Sequence, residues 1–80
     1  MLRKSFGEYF RELRLNLGLS LKQFCLDNDL DFSNISKIER GVSKPPKDKI
    51  LVEYAKLLRL KQGSKEYTEF MDLAAAYKST

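Results

Sequence analysis

The sequence predicts an all-α domain of about five short helices, on three observations. Apolar residues recur three and four positions apart along most of the chain, which is the period of an amphipathic helix. No run alternates apolar and polar residues for long enough to indicate a strand. Gly and Pro fall at spaced points between the apolar segments, where helices commonly end or begin. The 80 residues suffice for one domain with one core.

The composition excludes several classes of function. A single Cys excludes an internal disulfide, and with no His it cannot form a cluster of thiolate and imidazole metal ligands. His is also the commonest general base, so the sequence predicts no catalytic residue, metal or cofactor. No apolar run is long enough to span a membrane, and the charged N-terminal segment lacks a signal-peptide core. We therefore expect a cytoplasmic protein that is not an enzyme.

The first two helices are predicted from their capping residues. Ser5 and Glu8 have capping-box spacing, so the first helix starts after Ser5, and Gly18 can end it. Ser20 and Gln23 repeat that spacing and start the second helix. The predicted inward stripes are Phe6, Tyr9, Phe10, Leu13 and Leu17 in the first helix, and Leu21, Phe24 and Cys25 in the second.

Three further helices are predicted after the polar break at 27–29. The third is capped by Asp31 and runs to about residue 40, with only Ile35 and Ile38 facing inward, so it is mostly polar. Two prolines stiffen the next loop and favour a helix start just beyond it. The fourth helix covers about 48–60 and buries Ile50, Leu51, Tyr54, Ala55 and Leu58. The fifth covers about 64–77.

The second and third helices, with the short break between them, have the pattern of a helix-turn-helix. Ser20 opens the segment, Cys25 is a small residue within it, and Ile35-Ser-Lys-Ile-Glu-Arg-Gly41 closes it. This segment resembles the helix-turn-helix of the lambda repressor/Cro (XRE) family, and the flanking helices extend the resemblance to about residue 60. The resemblance implies a five-helix lambda repressor-like DNA-binding domain, with a core at 1–62 and a C-terminal helix at 63–80. It also implies a dimer that binds a palindromic operator in double-stranded DNA as a repressor.

The outer side of the third helix is the candidate base-reading surface. A helix that docks in a major groove about 12 Å wide needs a polar or small outer side. The candidates are Phe32, Ser33, Ser36 and Lys37. Lys37 favours guanine O6 and N7, and Phe32 suits a thymine methyl group. The alternative is an ordinary solvated helix surface, with Phe32 folded back into the core.

Phosphate contacts are expected on either side of that helix. Residues 37–49 hold five basic and two acidic residues, a net charge of +3 beside the reading helix. The start of the second helix offers free backbone N–H groups to an anion. The candidate phosphate ligands are Ser20, Lys22, Asn34, Arg40, Ser43 and Lys44. The alternative is a solvated charge cluster.

The resemblance also implies a structural pair and reveals departures. In the family, an Arg late in helix 1 pairs with the Glu that ends helix 3, and Arg14 and Glu39 match those positions; otherwise they are unrelated surface charges. Asp29 stands where the family usually has Gly, and Leu21 replaces a common polar residue. With its neighbours at 27 and 31, Asp29 forms an acidic turn that would repel phosphate. A domain repurposed for protein contacts would show such changes.

The fifth helix carries an aromatic-rich stripe with two interpretations. It consists of Tyr67, Phe70, Met71 and Tyr77. It either covers the first and fourth helices or forms a dimer or partner surface. As many small members of this family are antitoxins, the alternative function is the antitoxin of a type II toxin–antitoxin pair, which binds a toxin protein and represses its own operon.

Overall fold

The computed structural model describes residues 4–78. The first residues of the predicted division 1–62 and the last residues of the division 63–80 lie outside the described residues. Within that range the chain forms five helices and no strand, which confirms the all-α class. The helices are α1 (Phe6–Asn16), α2 (Leu21–Asp27), α3 (Phe32–Glu39), α4 (Asp48–Leu57) and α5 (Lys65–Lys78).

Short polar side chains begin four of the helices. The α1 capping box is complete, because Ser5 Oγ accepts from the Glu8 N–H at 3.2 Å and Glu8 Oε1 accepts from the Ser5 N–H at 3.4 Å. Ser20 Oγ accepts from the Gln23 N–H at 3.0 Å. The Gln23 side chain donates instead to Asp27 Oδ1 at 2.6 Å, so only half of the second box forms. Asp31 caps α3 and Ser64 caps α5.

Helix α4 ends three residues earlier than expected. The chain turns at Arg59, which has φ 62°, and the Leu60 N–H donates to the Ala55 carbonyl at 2.9 Å. Of the two hydrogen bonds that close a helix ending in a left-handed residue, this is the one that spans more residues. A left-handed arginine is unfavourable for its Cβ, and the sequence carries no Gly there to indicate the stop.

The core is an aromatic cluster centred on Phe10. Its ring meets Phe24 and Tyr54 edge-on, with centroids 5.9 Å apart in both pairs. Phe6 and Phe70 stack tilted at 5.0 Å. Phe70 also lies 6.2 Å from the Phe10 ring, so helices α1, α2, α4 and α5 meet at this one ring. The other buried apolar residues are Leu13, Cys25, Ile35, Ile38, Leu51, Ala55, Leu58, Leu73 and Ala74.

The structure corrects the predicted burial of four residues. Leu21 and Ile50, predicted to be buried, are half-buried at the edge of the core. Leu73, outside the predicted stripe of the fifth helix, is 4% exposed. Phe70 is fully buried between the rings of α1, so it belongs to the core and cannot line a partner surface. Of the remaining stripe, Tyr67 and Met71 are half-buried and Tyr77 is exposed; the first two pack against the core cluster.

Gly7 lets α1 lie directly against the C-terminal end of α3. A Cβ at Gly7 would lie 2.4 Å from the Ile38 carbonyl oxygen and 2.6 Å from that of Glu39. Both atoms are backbone, so no side-chain rotation would make room. The position therefore needs a residue without Cβ, and α1 serves as the surface on which α3 rests.

Candidate nucleic-acid interface

The turn between α2 and α3 brings the two helices into a tight corner. Asp29 occupies the left-handed region at φ 54°, and the Leu30 N–H donates to the Cys25 carbonyl at 2.9 Å. The Asn28 side chain donates to the Phe24 carbonyl at 2.8 Å, so this carbonyl at the end of α2 also has a partner. Burial raises the pKa of the Cys25 thiol, since the side chain is 3% exposed where the two helices pack.

Helix α3 has one buried and one open side. Ile35 and Ile38 are 0% and 3% exposed and hold the helix on the core. The candidate base-reading residues lie on the other side, where Phe32, Ser33 and Lys37 are exposed and Ser36 is half-buried. The described part of the chain leaves this outer side uncovered, so it is accessible to a ligand.

Phe32 is not folded into the core. It is 50% exposed and forms one wall of a shallow apolar notch of about 360 Å³. Its other lining residues are Lys22, Cys25, Leu30 and Leu26, which is 67% exposed. Sequence reasoning did not single out Leu26 and Leu30. Their pattern alone cannot show that they lie beside Phe32 across the turn.

The structure brings Arg14 and Glu39 together as a buried ion pair. Arg14 Nε and Nη2 donate to Glu39 Oε2 and Oε1, each at 2.8 Å, and both side chains are 5% exposed. Arg14 Nη1 also donates to the Leu19 carbonyl at 2.8 Å. The hydrogen bonds to Glu39 raise the pKa of Arg14. This fork ties α1 to the end of α3 and to the loop before α2, which fixes the orientation of α3.

The candidate phosphate ligands lie on both flanks of α3. Ser20 and Lys22 are exposed at the start of α2, and Arg40 is exposed at the end of α3, where its Nε donates to Ser36 Oγ at 3.3 Å. On the other flank Lys44 is exposed and Ser43 is half-buried. The Ser43 N–H donates to the Lys37 carbonyl at 3.2 Å, so the loop is attached to the last turn of α3.

Two further lysines belong to the second flank. A groove of about 440 Å³ separates α3 from the loop, and its polar lining residues are Asn34, Lys44, Lys47 and Lys78. We call these four residues the basic groove. Asn34 and Lys44 were predicted as phosphate ligands. Lys78 could not be found from the sequence, because it is the last residue of α5 and only the packing of α5 brings it here.

The three turn carboxylates are all exposed. Asp27, Asp29 and Asp31 lie at the corner between α2 and α3. One oxygen of the Asp31 carboxylate already accepts a hydrogen bond, from the Ser33 N–H at 3.3 Å. The negative charge therefore collects at the N-terminal end of α3, whereas the basic groove lies along its other flank.

The fold and this open helix define a helix-turn-helix domain, and a comparison of the sequence with protein families agrees. The model of a family described as helix-turn-helix matches residues 10–61, about two thirds of the chain. The chain belongs to this helix-turn-helix family, of the lambda repressor/Cro (XRE) type, and is a DNA-binding transcription regulator. No curated protein and no solved structure shows significant similarity to the chain.

Residues 4–78 contain neither a membrane-spanning helix nor a cluster of metal ligands. None of the five helices combines the length and apolar character needed to cross a bilayer. Over the same range, no group of three acidic, Cys or His side chains has the arrangement of a metal site.

Proposed function

We propose that the protein is a dimeric repressor that binds an inverted-repeat operator and blocks access of the polymerase. The observation that supports this proposal is the open side of α3. It presents Ser33 and Lys37 to solvent, while Ile35 and Ile38 anchor the helix and the Arg14–Glu39 pair holds its end. A helix that is polar outside and rigidly seated inside suits the major groove.

The proposed roles divide between base edges and phosphates. Lys37 donates to guanine O6 and N7, Ser33 and Ser36 donate to base acceptors, and Phe32 lies against a thymine methyl group. The phosphates of one strand meet Ser20, Lys22 and Arg40, and those of the other meet Asn34, Ser43 and Lys44. These phosphate contacts set the register of α3 on the duplex and carry no sequence information directly.

Selection of binding sites from random duplex DNA tests the proposal. The selection is run with competitor DNA at two salt concentrations, and an enriched palindrome is the expected result. Lys37→Ala should then relax the preference at one base pair, at a cost of ~1–3 kcal/mol. Lys44→Ala should weaken all sequences alike and flatten the salt dependence by about one unit. If the two variants behave alike on several operator variants, the division of roles is wrong.

Removing single methyl groups from the DNA tests the role of Phe32. Deoxyuridine lacks only the C5 methyl group of thymidine, so replacing each thymidine of the selected site in turn removes one methyl at a time. One replacement should weaken binding by the protein but not by Phe32→Ala, because the variant has no ring to contact the methyl. Equal losses for both proteins would remove Phe32 from base reading.

The second candidate function is that of an antitoxin. The observation that favours it is the side of α5 where Tyr67 and Met71 are only half-buried, although they pack on the core. In the repressor this surface joins two protomers; in the antitoxin it holds a toxin protein. Sedimentation of the pure protein separates the two, since a homodimer has twice the 9.3 kDa chain mass. A monomer that binds DNA only together with a second protein would favour the antitoxin.

A further inference from the structure

The C-terminal end of α5 is attached to the loop that follows α3. Lys78 Nζ donates to the Pro46 carbonyl oxygen at 2.8 Å and lies 3.7 Å from Asp48 Oδ1. Residue 78 lies well beyond the segment 10–61 that the family model matches. The contact is therefore a feature of this chain outside its helix-turn-helix core.

This contact places a third lysine in the basic groove. Asn34 lines the groove from α3, Lys44 and Lys47 from the loop, and Lys78 from α5. Asp48 carries an opposing charge, since its carboxylate pairs with Lys78. Its side chain is 88% exposed, so water weakens that attraction. The groove thus has an excess of positive charge directly beside the outer side of α3.

The hydrogen-bonding capacity of the groove also fits an anion with several oxygens. An ammonium group has three donors. On Lys78 the bond to Pro46 uses one and the Asp48 carboxylate at 3.7 Å competes for a second, which leaves at least one for a ligand. The side-chain amide of Asn34 can donate as well. Two consecutive prolines stiffen the loop, since their φ angles are fixed, so Lys44 and Lys47 extend from a rigid base.

We propose that Lys78 is a DNA ligand: the basic groove binds one backbone phosphate, and α5 supplies one side of that site. The inference rests on the proposed function, because α3 must face the duplex. It favours a phosphate of the duplex over a carboxylate of a partner protein, because Asn34 and Ile38 line the groove from α3, the helix proposed to enter the major groove. It follows that any partner contact of α5 lies towards its other end, near Tyr67.

Salt titration of DNA binding tests the proposal on the selected duplex. Each lost phosphate contact reduces the slope of log K against log salt concentration by about 0.9. Lys78→Ala should therefore bind more weakly and lose about 3.5-fold less affinity between 50 and 200 mM salt than the unchanged protein. Lys65→Ala is the matched control, since it removes an exposed lysine from the opposite end of α5. It should leave the slope unchanged.

Two further variants separate the phosphate contact from the attachment of the loop. Lys78→Arg keeps the charge and should retain the slope. Lys78→Gln keeps a donor for Pro46 but not the charge, so it should lose the slope as Lys78→Ala does. Weaker DNA binding by Lys78→Ala with an unchanged salt slope would mean that Lys78 only holds the loop, and would overturn the proposal.

The remaining outcomes distinguish this proposal from the proposed function. If Lys44→Ala reduces the slope and neither Lys78→Ala nor Lys78→Gln does, the proposal for Lys78 is wrong and the proposed repressor function is unaffected. If the unchanged protein enriches no duplex, both proposals fail. If Lys78→Gln impairs binding of a protein partner and leaves the DNA salt slope intact, the groove serves a protein carboxylate instead.

Discussion

Substituting Gly7 with Ala should destabilise the protein, although the same change stabilises most helices. The new Cβ would lie 2.4 Å from the Ile38 carbonyl oxygen, 2.6 Å from that of Glu39 and 2.9 Å from the Glu39 carbonyl carbon. Ordinary carbon–oxygen contacts begin at about 3.3 Å. Relieving the overlap therefore requires α1 and the end of α3 to separate by roughly 1 Å, against the bidentate Arg14–Glu39 pair that joins them.

The expected cost combines two opposing effects. Over-packing costs about 1–3 kcal/mol, and the upper end applies because the opposing atoms are backbone and cannot rotate away. Replacing Gly by Ala inside a helix returns about 1 kcal/mol. The net loss in the free energy of unfolding is therefore about 2 kcal/mol, which lowers the Tm of a chain of this size by about 8–16 °C.

Urea denaturation followed by far-UV circular dichroism measures this loss. Thr68→Ala is the control, because Thr68 is exposed within α5 and its replacement reports helix propensity alone, a gain of about 0.5 kcal/mol. Gly18→Ala provides the contrast of a glycine with open space around it but φ 76°, where strain costs about 1–2 kcal/mol. If Gly7→Ala is as stable as the unchanged protein or more stable, the close backbone contact between α1 and α3 is refuted.

Three further predictions test the framework of the site. Arg14→Met and Glu39→Gln each leave one buried charge unpaired, so each should lower the free energy of unfolding by about 3 kcal/mol, and a double variant that loses the full sum would contradict direct pairing. Asp29→Gly removes a Cβ at φ 54° and should raise stability by up to ~1 kcal/mol in the same urea assay; a loss would show that the carboxylate is needed. Burial raises the pKa of Tyr54 above its ordinary value of 10.0, so the folded chain holds this proton more tightly than the unfolded one. That stability is complete below about pH 10 and is lost as the pH rises further. Tyr54→Phe should therefore flatten the fall in Tm between about pH 9 and pH 11, and parallel curves would rule out this cause.

Local signals in the sequence were sufficient for most of the fold. Ser5, Ser20 and Asp31 cap their helices because each offers an oxygen to an N–H two or three residues ahead, an interaction confined to one turn. The inward spacing of Ile35 and Ile38 likewise follows from the helical period. Such features depend on near neighbours in sequence, so a single sequence is enough to predict them.

Long-range packing accounts for what the sequence could not predict. Gly7 has the appearance of a helix start, and only the approach of α3 makes it a contact position. The stripe of α5 indicates an apolar side without saying what covers it, so the burial of Phe70 against α1 had to be observed. Lys78 joins the basic groove for the same reason, since its neighbours there are more than 30 residues away.

The charge distribution along α3 restricts how a duplex can approach. The exposed carboxylates of Asp27 and Asp29 lie at the α2–α3 corner, whereas the basic groove and Arg40 flank the rest of the helix. At physiological salt a charge acts over about 8 Å, so each region affects only the phosphates that pass close to it. We therefore expect the strongest backbone contacts at the loop after α3 and at the end of α5. The corner is left to apolar contact through Phe32, because a methyl group is not repelled by the neighbouring carboxylates as a phosphate would be.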